Sequence, residues 1–129
     1  MQIRLLGQMA SRPELARLLV SADVFVHPNA REPFGIGPSE AMASGIPLVV
    51  PDTGGVMEYA DTSCAWLAKP QADAFATAVL DVLSNRMRGQ VKVQKARSVA
   101  ERHDWRVVTS QCFDFHASRG LCRERSADR

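Results

Sequence analysis

Bulk chemistry gives this sequence almost nothing that would announce a function. No apolar run approaches the ~20 residues of a membrane span, and the charged opening Met-Gln-Ile-Arg is followed by too brief an apolar segment for a signal peptide. Cysteine is scarce. Cys64, Cys112 and Cys122 are an odd set that cannot build a disulfide framework, and this suits a reducing, cytoplasmic setting. Neither sign of charge dominates: sixteen Lys and Arg against fourteen Asp and Glu leave a net +2, which excludes nucleic acid held by bulk electrostatics. Internal repeats and low-complexity linkers are absent too. What is there is 129 residues, 46% hydrophobic and 23% charged, which is one folded domain and not a disordered chain. Any function has to reside in a site.

The first half alternates short apolar runs with short helical patterns, the writing of a parallel sheet with covering helices. Ile3 to Leu6 reads as a strand closed by Gly7. Ser11-Arg12-Pro13-Glu14 is a capping box, and the helix it opens carries an apolar stripe at Leu15, Leu18, Leu19 and Ala22. Val24 to Val26, β-branched and aromatic, reads as a fully buried strand, and Leu48 to Val50 and Ala65 to Leu67 as two more. Between them, the Ala-rich stretch ending at Gly45 and a turn around Met57 to Ala60 read as helical. From Ala72 the pattern is wholly helical, with a stripe at Phe75, Val79, Val82 and Leu83, then a basic segment from Arg86 to Arg102, then a helix capped by Asp104 whose inner face holds Val108, Cys112 and Phe115. The expectation is an α/β domain, a Rossmann-like parallel sheet of about four strands with covering helices and a helical C-terminal extension. It occupies residues 1–118, and residues 119–129 form a basic, fraying tail.

In doubly wound sheets ligands bind outside the carboxyl ends of the strands, where loops pass into helix N-termini. Here one such loop carries His27, Asn29, Glu32 and Gly35-Ile36-Gly37, and the next carries Asp52, Thr53, Gly54 and Gly55. Both open helices, so each offers unpaired amides suited to a diphosphate. At Gly35 and Gly37 a side chain would hold such a ligand off the backbone. Glu32 and Glu40, seven residues apart, would repel phosphate but accept pairs of hydroxyl donors, and a vicinal diol fits a carboxylate in this way. A ligand with sugar hydroxyls, a diphosphate and a ribose diol in line satisfies Glu32, the Gly35 to Gly37 amides and Glu40 in turn. A nucleotide sugar is such a ligand.

Glu32-Pro33-Phe34-Gly35 with Glu40-Ala41-Met42-Ala43-Ser44-Gly45-Ile46-Pro47 resembles the E-x7-E donor-site signature of retaining glycosyltransferases of the family-four type, which have the two-domain glycosyltransferase B fold. Ala22 to Pro28 before it, Gly54-Gly55 with Glu58 after it, and Glu101 to Trp105 near the end are similar to family segments in the same order. The resemblance covers roughly residues 2 to 108. It implies Glu32 as the catalytic carboxylate at the donor sugar's hydroxyls and the Phe34, Gly35, Ile36 and Gly37 backbone around sugar and diphosphate. Glu40 would sit at the ribose, with Gly54 and Gly55 shaping the neighbouring loop. It further implies sugar transfer with retention and no required metal or cofactor, from a UDP-, GDP- or ADP-sugar to a glycan, lipid or small-molecule acceptor. The family's acceptor domain, two further donor-domain strands and a basic pair have no counterpart before Ile3. An N-terminally truncated donor-site part is therefore expected, with Ile3 to Leu6 deprived of neighbouring strands and the isolated chain marginally stable and inactive.

The competing class is a non-enzymatic nucleotide-binding or interaction module from a truncated gene. His27 reads as a strand-end packing residue. Cys112, His116 and Cys122 lack a fourth ligand and match no common zinc spacing. The basic run Arg86, Arg88, Lys92, Lys95, Arg97 and Arg102 reads first as a solvated helix face and second as a peripheral contact with anionic lipid. Trp105 and Met57 read as packing residues.

Overall fold

The structure, a computed structural model, describes residues 2–9 and 11–119, without the side chains of Arg86 and Arg88. Cys122 and the tail from residue 120 lie outside the described residues. Helix α1 (Arg12–Val20) starts where the capping box places it: the Ser11 hydroxyl accepts from the Glu14 amide at 3.4 Å, and Pro13 sits in the first turn, where its missing amide costs nothing. Strand β1 (Phe25–Val26) leads through a long loop to helix α2 (Ile36–Ser44), which Gly45 ends in the left-handed conformation at φ 74°. Strand β2 (Leu48–Pro51) is followed by a 3-10 turn over Gly55–Glu58 and strand β3 (Trp66–Ala68). Helices α3 (Ala72–Ser84), α4 (Arg86–Arg102) and α5 (Trp105–Ser118) complete the described chain, and the Asp104 carboxylate caps α5 by accepting from the Arg106 amide at 2.8 Å.

The sheet is parallel, in the order β1-β2-β3, with Phe25 opposite Leu48 and Val49 opposite Trp66. Strand β2 lies in the middle and is buried along its whole length. Its side chains alternate, as strand geometry demands. Leu48 and Val50 join Leu19, Ala41, Met42, Val56, Ala96 and Val99 on the α1, α2 and α4 side, whereas Val49 joins Trp66, Phe75 and Val82 on the α3 side. Trp66 is anchored further by donating its indole N–H to Asp81 Oδ2 at 2.7 Å, with the Lys92 ammonium 4.6 Å above its ring. This is the expected Rossmann-like α/β arrangement of a parallel sheet with covering helices, and they lie on both its faces.

Several expectations are corrected. Among the described residues the sheet has three strands and not four, because Ile3 to Leu6 joins no ladder; Leu5 is 94% exposed. Its pattern supplied the side chains of a strand, but no described strand pairs with it, and the outer edge of β1 is left open. Strand β1 is not fully buried: it is an edge strand, with Phe25 half-buried and Val26 exposed. Helix α5 buries none of its residues, so Val108, Cys112 and Phe115 form a stripe open to solvent, and Trp105 is 78% exposed. Met57 is exposed as well. No helix among the described residues is long and apolar enough to cross a membrane.

Candidate functional site

Because the strands are parallel, β1 and β2 end at the same edge, and the two loops that leave them meet there. The meeting is between backbones. The Gly55 amide donates to the Glu32 carbonyl at 3.0 Å. A Cβ at Gly54 would lie 2.5 Å from the Ala30 oxygen, and one at Gly55 only 1.8 Å from the Pro33 oxygen. Gly54 also has φ +91°, a region L side chains rarely enter. These two glycines therefore let the second loop dock on the first. The first loop is folded locally by Asn29, whose Oδ1 accepts from the Arg31 amide at 3.0 Å while its Nδ2 donates to Glu32 Oε2 at 3.3 Å. Glu32 is held half-buried there.

Gly35 turns the chain into α2. At φ +89° it is in the left-handed region, and it brings no side chain to cap the helix. With Pro38 at the third helical position, the first-turn donors are the amides of Ile36 and Gly37, at the positive end of the helix dipole. The Ile36 side chain is exposed, and a Cβ at Gly37 would meet only the Phe25 ring at 3.5 Å. Glu40 sits one turn on, half-buried, beside Ser39 and Ala43 in a cleft of about 300 Å³ whose other wall is Arg97, Glu101 and Asp104. Glu32 and Glu40 thus stand on different parts of the same edge, one on the loop and one on the α2 wall facing α4. A recess of about 310 Å³, bounded by Val20, Asp23, Ile46, Pro47 and Leu83, opens where β1 and β2 begin, at the opposite end of the sheet from the glycine loops.

Two residues that the sequence reading gave no role complete the site. The Tyr59 hydroxyl donates to the Gly35 carbonyl at 2.7 Å. Its ring packs on Phe34 at 5.0 Å and on His103 at 5.9 Å, and His103 itself lies 6.3 Å from Phe34. His103 is fixed by Nδ1, 2.9 Å from the Val99 carbonyl; since a carbonyl only accepts, Nδ1 carries the proton. Burial, and secondarily the Glu32 carboxylate, push the Tyr59 phenol up to about 12. Being the one tyrosine of the chain was the only signal Tyr59 offered. His27 donates its amide to the Val49 carbonyl, and its buried Nε2 has no hydrogen-bond partner among the described residues. Among the described residues no group of three or more His, Cys, Asp or Glu could hold a metal ion; Cys122 lies outside them.

The family model of the group 1 glycosyl transferases matches residues 1–102. The chain is 38% identical over 105 residues to an uncharacterized glycosyltransferase of Methanocaldococcus jannaschii, covering 79% of this chain and 27% of that protein. It is 35% identical over 112 residues to the phosphatidyl-myo-inositol mannosyltransferase of Mycobacterium leprae, covering 84% and 30%. The chain thus spans under a third of the length of either relative. Among solved structures, Anabaena Alr3699/HepE in complex with UDP superposes with a TM-score of 0.73 at 25% identity, over 83% of this chain and 30% of that one. The same Anabaena protein has also been solved in complex with UDP-glucose, where the TM-score is 0.62 at 26% identity over 79% and 29%.

Proposed function

Because the chain belongs to the group 1 glycosyl transferase family, we propose that it supplies the donor-binding side of an enzyme that moves a sugar from a nucleotide-sugar donor to an acceptor with retention. The observation that carries this reading is the uncapped N-terminus of α2, opened by left-handed Gly35 at the sheet's carboxyl edge and flanked by half-buried Glu32 and Glu40. The UDP held by the Anabaena neighbour supports the ligand class.

In this reading the Ile36 and Gly37 amides face the diphosphate, and their contribution grows as the leaving group gains charge. Glu32, aimed by Asn29, accepts from donor-sugar hydroxyls. Glu40 accepts from the ribose diol, and the exposed Phe34 borders the sugar. Gly54 and Gly55 keep the Glu32 loop in place through their backbone contact. The acceptor is a glycan, lipid or small molecule, and the setting is cytoplasmic, with exposed basic residues of α4 such as Lys95 and Arg102 available for peripheral contact with anionic lipid.

The test is titration of the chain with UDP, GDP and ADP. One of the three should bind saturably, and Glu40→Ala should weaken it by about tenfold or more, the worth of a charge-assisted hydrogen bond to a diol. Unchanged affinity in that variant removes Glu40 from the ribose role.

A further inference from the structure

In a trans peptide the C=O and the following N–H point in opposite directions. Whatever grips the Gly35 carbonyl therefore sets the direction of the Ile36 amide, the first free donor of α2. Rotation of that peptide plane changes ψ of Gly35 and φ of Ile36 together; glycine opposes it little, so the resistance comes from Ile36 and from whatever holds the carbonyl, and even a partial tilt turns the N–H away from an approaching anion. The Gly35 carbonyl is gripped from two sides: the Ser39 amide reaches it at 3.3 Å within the helix, and the Tyr59 hydroxyl at 2.7 Å from 24 residues further along the chain.

Building on the donor-binding reading above, we propose that Tyr59 is a positioning residue: by donating its hydroxyl to the Gly35 carbonyl, it locks the Gly35–Ile36 peptide plane with the Ile36 amide facing the donor's diphosphate. Three features equip it for this. Its ring belongs to a three-ring cluster with Phe34 and His103, and His103 is tied to the Val99 carbonyl, so the ring that carries the hydroxyl is held in place. Its phenol, raised to about 12 by burial and by Glu32, stays protonated and able to donate across the neutral range. A Cβ at residue 35 would stand 3.0 Å from the hydroxyl and press on it, and φ +89° already favours glycine there. Tyr59 touches neither ligand nor reacting atoms in this scheme and acts through Gly35 alone.

Tyr59→Phe keeps the packed ring and removes only the donor. In the amide spectrum of the ligand-free chain it should move the Ile36 and Gly37 resonances. It should weaken UDP, GDP or ADP, whichever binds, roughly three- to tenfold, the worth of one hydrogen bond. The corresponding nucleoside, which lacks phosphate, should bind the variant as it binds the parent. Unmoved Ile36 and Gly37 resonances overturn the proposal, whatever the ligand data. An equal loss for nucleoside and diphosphate also overturns it, since it assigns Tyr59 a general structural role. If the parent chain binds none of the three diphosphates, the donor-binding reading fails and takes the Tyr59 role with it; the ligand-free spectrum still reports separately whether the hydroxyl holds the peptide.

Discussion

Gly55→Ala adds one methyl group, yet it should break the contact on which the site loops depend. The new Cβ would lie 1.8 Å from the Pro33 oxygen, 2.3 Å from the Pro33 carbonyl carbon and 2.8 Å from the Glu32 oxygen. All three are backbone atoms, so no rotamer change relieves the clash, and the segment from Glu32 to Pro33 must retreat by more than an ångström to reach ordinary van der Waals distance. That retreat surrenders the bond from the Gly55 amide to the Glu32 carbonyl. The lost hydrogen bond is worth about 1 kcal/mol and the overpacking about 1–3 kcal/mol, a total of about 2–4 kcal/mol against the ~5–15 kcal/mol that separates most folded domains from their unfolded chains. Urea unfolding followed by circular dichroism should show the midpoint falling by about 1 M or more with the slope unchanged. Because Glu32 rides on the displaced segment, nucleotide affinity should fall too. A midpoint within a few tenths of 1 M of the parent's would refute the account of the two loops as docked backbone to backbone.

Gly37→Ala should do the reverse. Its Cβ meets only the Phe25 ring at 3.5 Å, and it exchanges a helical glycine for the best helix former, so stability should hold or rise by up to about 1 kcal/mol, while diphosphate binding weakens because a methyl group now stands beside the amides; tighter binding in a titration would contradict the cradle. The single tyrosine makes the phenol directly readable by its phenolate absorbance. The native chain should ionise at about 12, against about 10 for the unfolded chain. Since the folded state holds the proton more tightly, the stability this contributes is complete below pH 10 and lost as pH climbs from 10 to 12. Native ionisation near pH 10 would contradict it.

The elements readable from sequence are those whose stabilising contacts lie within a few residues. Ser11 and Asp104 find their amides two or three positions away, and Gly45 needs only its own left-handed backbone. The edge at which the loops meet was legible for a similar reason, because parallel strands with intervening helices fix which ends converge. Where burial depends on a distant surface, the same reasoning failed. The stripe on α5 has the spacing of a buried face, but no segment among the described residues covers it, and Ile3 to Leu6, expected without neighbouring strands, forms no strand at all. Tyr59 illustrates the other gap: its bond to Gly35 spans 24 residues and leaves no periodic trace in the text. The glycines divide along the same line. That Gly35 opens a helix is visible in sequence, whereas the approach of Gly55 to Pro33 exists only once two loops have been folded together.

The central position of β2 has a consequence for how the molecule opens. Both its neighbours and both covering layers must separate before its amides reach solvent, so their exchange should follow global unfolding, the slowest class of event in a native protein. The glycine loops hang from the ends of β1 and β2, and α2 packs directly on α4 over the same strands. They therefore belong to the same cooperative unit as the core. Helix α5, with nothing buried, belongs to a separate unit of much lower opening energy. Its far end can fray and reform many times over without the backbone around Glu32 and Gly35 registering the event, and only its cap, Asp104, borders the Glu40 cleft.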